Sequence, residues 1–234
     1  MNDFIKYNIF NKYKNIIHGS TTKLYNFENI LKLHNCNSGM AIIPKQIHEN
    51  KTIIVDSNML GKGEDYYIGD SLATNNENII LVIRTADCLP IFLFNKDKNV
   101  IGLIHAGWRG LARDIISCFI KKVKMVYNTS ENSFIAAIGP SINKNCYEVG
   151  EEVIVKLSNI YKNDLKTVIE KKSDIKYYLD LKLLAKNYLI KLGLKEENIE
   201  VSSSCTHCND ELFYSFRRDK GKLGNIYSMI CLRP

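Results

Sequence analysis

The sequence has no long hydrophobic run. Nothing in its 234 residues approaches the roughly 18 consecutive apolar residues that a membrane span requires. The opening stretch MNDFIKYNIFNKYKN is too polar for a secretory signal, so the expected compartment is the cytoplasm, with no membrane partner. Only 4 prolines occur, and no Pro/Gly/Ser-rich boundary, internal repeat or low-complexity linker divides the chain. One domain over residues 1–234 is therefore expected. Zinc-finger spacing and Arg-rich arms are also missing, so the net charge of +7 does not indicate a nucleic-acid partner. Its lysines are spread along the chain, and the densest cluster, KKVK at 121–124, reads as the solvated face of a helix. The excess positive charge can still help to attract an anionic substrate. Cysteines number 7, an odd count in a chain with no export signal, so reduced thiols are expected. A cysteine with a task here would do chemistry or bind metal.

A hydrophobic content of 45% is enough for a buried core. Short β-branched runs recur at 52–55, 79–83, 89–94, 100–104, 134–138 and 225–232, with another at 199–204. Several lack polar alternation and read as strands buried on both faces. Helical stripes lie between them. From Leu111 the apolar side chains return at Ile115, Ile116, Phe119, Ile120 and Val123, and similar stripes cover 148–161 and 179–194. Hairpins with interspersed helices predict an α+β fold, a single domain of mixed or antiparallel β-sheets packed against helices.

The polar NKDKN at 95–99 predicts a hairpin between the 89–94 and 100–104 strands. With the turn centred on Lys96 and Asp97, Cys88 stands opposite His105. Directly opposed Cβ atoms lie about 5 Å apart, close enough for one metal ion held at ~2.3 Å by sulfur and ~2.0 Å by nitrogen. A catalytic zinc commonly takes three protein ligands. His18, His34, His48 and His207 are the remaining histidines, and spacing does not choose between His48 and His18. GWRG, directly after His105, reads as the start of the following helix, placing free N–H groups and Arg109 where an anion can bind. A second group, Cys205, His207 and Cys208 in CTHC, lacks the second CxxC of a structural zinc site. It is expected to have a loop role.

In order along the chain stand HGSTTK (18–23), QIH (46–48), DSLAT (70–74), TADCLP (85–90), HAGWRG (105–110), IGPSINKNCYEVG (138–150) and CTHCNDELFYSFRRD (205–219). With these motifs the chain resembles the YfiH/YlmD-like family, labelled laccase-domain or polyphenol oxidase and regarded as zinc-containing purine nucleoside phosphorylases. The resemblance implies metal ligands His48, Cys88 and His105. It also implies phosphorolysis of adenosine, inosine and methylthioadenosine, with adenosine deamination as an additional reaction; the partners would be a nucleoside and phosphate. Glu49 departs from the glycine that usually follows the family's Q-x-H. Within this frame Cys88 and His105 are the expected catalytic pair. Asp87 is expected to orient a zinc ligand or transfer a proton, and Arg109 with Arg217 or Arg218 to hold phosphate. Cys146 is expected to be structural or pocket-lining. The competing expectation is a hydrolase that edits a peptidoglycan precursor through Cys88 and His105. Zinc suits Cys/His₂ best, although copper would also bind; 5 histidines are too few for a multicopper oxidase.

Overall fold

Side-chain parity along the strand Leu89–Asn95 sets the layers of the molecule. Leu89, Ile91 and Leu93 enter one apolar core, while Phe92 and Phe94 enter another on the opposite face. Both faces are covered, which is why the apolar runs lack polar alternation. The computed structural model describes residues 4–221 and 224–233. Its six-stranded sheet runs Ile199–Val201, Phe134–Ile138, Leu89–Asn95, Val100–Ala106, Ser71–Thr74, Thr52–Ile54. The outermost pair at each end is parallel and the pairings between are antiparallel. One face packs on the helices Ile115–Tyr127, Glu151–Tyr161 and Leu181–Lys191. The other packs on a five-stranded sheet built from Phe4–Ile5, Ile16–Thr21, Ile226–Leu232, Ile80–Thr85 and Ala41–Ile42. That second sheet buries its far side against Ile30 and Leu31 of the helix Phe27–Leu33. A three-stranded sheet, Glu148–Gly150, Lys176–Leu179 and Ile169–Ser173, completes the mixed α/β architecture.

The predicted stripe Ile115, Ile116, Phe119, Ile120 and Val123 is fully or almost fully buried. At roughly 1.5–3 kcal/mol for each large apolar side chain, it is a major contribution to holding helix on sheet. Three local expectations change. The helix does not begin at GWRG: a single turn, Trp108–Leu111, is followed by a break at Asp114, whose φ of +62° is left-handed. The Asp114 carboxylate accepts the Tyr188 hydroxyl at 2.7 Å and so ties the break to the helix Leu181–Lys191. The 148–161 stripe likewise splits into the strand Glu148–Gly150 and the helix Glu151–Tyr161, because 148–150 pairs with 176–178. Finally, the hairpin register is displaced. Asn95 pairs with Val100, so the loop is 96–99, with Asn99 left-handed at φ +50° and the Asn95 side chain accepting the Lys98 N–H. His105 therefore stands opposite Pro90 rather than Cys88. An even displacement preserves the face, so Cys88 becomes a diagonal neighbour of His105 on the same side.

Candidate metal centre and cleft

Cys88 lies just before the strand Leu89–Asn95, and His105 near the end of Val100–Ala106. His48 arrives from a loop with a left-handed φ of +59°. The three ligand atoms lie within 4.8 Å of one another, and the two imidazoles meet edge-on with centroids 4.9 Å apart. His18, the rival by spacing, is elsewhere: it is buried in the strand Ile16–Thr21, accepts the Tyr7 N–H, and is pushed down to about 4 chiefly by burial.

Asp70 organises the centre. This fully buried carboxylate accepts the backbone N–H groups of Ile47 at 3.1 Å, His48 at 2.9 Å and Glu49 at 2.9 Å, together with His105 Nδ1 at 2.8 Å. Burial alone would push this carboxyl up, but the His105 and backbone hydrogen bonds hold it below the ordinary carboxylate range. An ionised Asp70 accepts only, so His105 Nδ1 donates and Nε2 is left for a metal or for the thiol. Gly107 leaves the sulfur its space, since a Cβ there would stand 2.8 Å from Cys88 Sγ. Donor types, convergence and a carboxylate behind His105 together fit a zinc-class ion.

Electrostatics within the triad favour ionised partners. Burial would raise the Cys88 thiol, but the charge and hydrogen bonding of His105, then His48, bring it down to about 6. Burial would likewise lower His105, yet Cys88 and Asp70 raise it to about 9. Both shifts favour a thiolate–imidazolium pair in the metal-free protein.

The centre opens into a cleft of about 540 Å³, whose lining includes Asp87, Trp108, Arg109, Tyr147, Phe216 and Arg217. Arg109 lies over the Trp108 ring at 4.5 Å. Arg217 lies over Tyr147 at 5.2 Å and donates to the Glu148 carbonyl at 2.9 Å. Burial, then the Cys88 charge, keeps the Tyr147 hydroxyl protonated. Arg218 does not line the cleft. Its guanidinium donates to the carbonyls of Thr206, His207 and Phe213 and to both oxygens of Asp219, so it braces the loop. Asp87 is committed too: it accepts Thr206 Oγ at 2.6 Å, Ser215 Oγ at 3.0 Å and the Arg217 N–H at 2.7 Å. These donors support a φ of +88°, and through the last of them Asp87 places Arg217 rather than a metal ligand. The carboxylate that holds His105 is instead Asp70, which was not singled out from sequence although DSLAT contains it. Glu49, at the departure from the family pattern, is exposed and contributes its N–H to the Asp70 cradle.

Comparison with known proteins gives the family and the fold. The family model described as multi-copper polyphenol oxidoreductase laccase matches residues 20–233. Purine nucleoside phosphorylase YlmD of Bacillus subtilis (strain 168) is 33% identical over 214 residues, covering 89% of this chain and 76% of the relative. Adenosine deaminase RL5, from an unknown prokaryotic organism, is 29% identical over 182 residues, covering 76% of this chain and 69% of the relative. The crystal structure of the hypothetical protein YfiH from Bacillus licheniformis superposes with a TM-score of 0.91 at 25% identity, covering 100% of both chains. The chain belongs to the multi-copper polyphenol oxidoreductase laccase family, in agreement with the YfiH/YlmD-like resemblance of its motifs.

Proposed function

We propose that this protein is a purine nucleoside phosphorylase acting on adenosine, inosine and methylthioadenosine, with adenosine deamination as a second reaction. The observation that carries the reading is one cleft lined by the Cys88, His105 and His48 centre, three arginines (Arg84, Arg109 and Arg217) and three aromatic side chains. Trp108, Tyr147 and Phe216 offer the flat apolar surface that a purine needs. Arg109 and Arg217 supply positive charge for phosphate; the single turn Trp108–Leu111 is too short to act as a helix-dipole site, so the anion reading rests on these side chains.

In phosphorolysis a phosphate oxygen forms a bond to the ribose C1′ while the C1′–N9 bond breaks, and the departing purine takes up a proton. Holding phosphate between two guanidiniums aims it at a sugar that becomes positive in the transition state. Asp87 acts by positioning Arg217 through the 2.7 Å contact. His48, Cys88 and His105 would hold zinc, which supplies the Lewis acidity needed to activate water for attack on the purine C6. Asp70 keeps the His105 Nδ1 proton in place, so the ring presents Nε2 to the centre. The copper oxidoreductase label of the family is not extended to the activity, because two nearby imidazoles cannot ligate several coppers.

A second reading has its own observation. Asp70, His105 and Cys88 are linked in the order of an orienting acid, a base and a nucleophile, the arrangement of a cysteine hydrolase acting on a peptidoglycan precursor. Product analysis separates the two. Adenosine incubated with inorganic phosphate should give adenine and ribose 1-phosphate, with inosine as the deamination product, and a chelator should stop both. Chelator-insensitive cleavage of a precursor, with nucleosides untouched, favours the hydrolase.

A further inference from the structure

Of the six cysteines outside the cleft centre, the fold brings three together from two distant segments. Cys146 comes from the 3₁₀ turn Lys144–Cys146, and Cys205 and Cys208 from the 205–208 turn. Their sulfurs all lie within 4.8 Å of one another, with Cys146 and Cys208 3.2 Å apart. A tetrahedral zinc-class ion with bonds of ~2.3 Å places its sulfurs about 3.8 Å apart, within the range of this triangle.

A second observation concerns the environment of Cys205. Its sulfur accepts the Asn143 N–H at 3.3 Å and also receives the backbone N–H groups of His207 and Cys208. Several peptide donors converging on one sulfur stabilise a thiolate in the way that ligand thiolates are held in metal-binding turns. Positive charge is built in alongside. The Lys182 ammonium, 7% exposed, donates to Asn143 Oδ1 at 2.6 Å, the Ser202 carbonyl at 3.0 Å and the Ser204 carbonyl at 2.7 Å. It clamps both segments beside the cluster. Cys208 is exposed and Cys146 half-buried, so an ion has a path in from solvent.

We propose that Cys146, Cys205 and Cys208 form a second metal site, a three-thiolate site for a thiophilic d¹⁰ cation such as Zn²⁺ or Cu⁺. The site joins the Ser141–Tyr147 segment to the 205–208 turn. The same two segments touch the cleft: the Ile142 N–H donates to the Asp87 carbonyl at 3.1 Å, and Thr206 Oγ to the Asp87 carboxylate at 2.6 Å. A cation on the three sulfurs therefore fixes the wall that holds Asp87 and, through it, Arg217. The site is independent of which reaction the cleft performs.

Cadmium titration of the reduced full-length protein tests this. The Cys88→Ala background removes the only thiolate of the first centre, and Cys208→Ser then assigns the remaining sulfur-to-cadmium charge-transfer absorption to the second site rather than to Cys36, Cys118 or Cys231. One equivalent of Cd²⁺ should saturate a band with the intensity of three sulfur ligands. Adding Cys208→Ser should lower that band by about a third and weaken binding, as expected for losing one of three thiolates. Because Cys208 is exposed, this change leaves packing intact, and far-ultraviolet circular dichroism checks the fold. A reduced, folded protein that shows no band, or a band unchanged by Cys208→Ser, overturns the proposal.

Discussion

Asp70→Asn is the most informative single change, because all four donors that converge on Asp70 are accounted for. Oδ1 accepts His48 N–H and His105 Nδ1, and Oδ2 accepts Ile47 N–H and Glu49 N–H. Asparagine keeps one acceptor oxygen and turns an NH₂ toward the other pair. If the oxygen stays on the His105 side, the Ile47 and Glu49 N–H groups lose their partner. At about 1–3 kcal/mol for each buried donor left unsatisfied, the cost is about 2–6 kcal/mol. In the opposite orientation the NH₂ faces His105 Nδ1–H, and the ring must change tautomer and place a proton on the metal-facing nitrogen. Either way the metal centre suffers, and losing such a carboxylate typically weakens metal binding roughly 10–100-fold. Competition for Zn²⁺ with a chromophoric chelator measures the affinity, and thermal unfolding measures the stability. A folded Asp70→Asn protein with wild-type zinc affinity would refute the role given to this carboxylate.

Gly107→Ala should abolish zinc binding at the first centre while leaving the fold intact, since the new methyl group meets Cys88 Sγ at 2.8 Å; metal analysis checks it. Arg217→Ala should raise the KM for phosphate about tenfold or more, the loss of one charge-assisted contact. Arg218→Ala should instead lower the melting temperature and leave that KM nearly unchanged, because its guanidinium is spent on Asp219 and three carbonyls; steady-state kinetics and calorimetry separate the pair. In metal-free protein, iodoacetamide labelling of the Cys88 peptide should rise with pH through about 6, where the thiol loses its proton, and should already be near its plateau at neutral pH. His105→Gln should move that midpoint upward toward an ordinary thiol, since the lowering cation is gone; mass spectrometry of the peptide gives both curves.

The layers of the fold were legible because both-face burial removes polar alternation, and the 89–94 and 100–104 runs show it plainly. The contact between Cys88 and His105 was legible for a reason that survives error. The predicted register was off, but an even displacement keeps both side chains on one face. What sequence concealed depended on long-range pairing. Asp70 reaches His105 only because Ser71–Thr74 pairs with Val100–Ala106. The grouping of Cys146 with CTHC was hidden because Cys146 lies in another motif and is brought in by the bridge between Ser141 and Cys205. Arg217 and Arg218 are neighbours of the same type, and their opposite employments follow from the short helix Phe216–Asp219, which turns one into the cleft and the other onto Asp219. The break at Asp114 carries no proline or glycine, so its signal lay only in the tertiary contact with Tyr188.

The central claim is that a cleft centred on Cys88, His48 and His105 cleaves purine nucleosides with phosphate. Release of adenine and hypoxanthine should be measured from adenosine and inosine, with and without phosphate, by wild type and Cys88→Ala, with zinc content determined on the same samples. Phosphate-dependent release by wild type, lost in Cys88→Ala together with one zinc per chain, is the result predicted here. A zinc-replete wild type that releases neither base would contradict it.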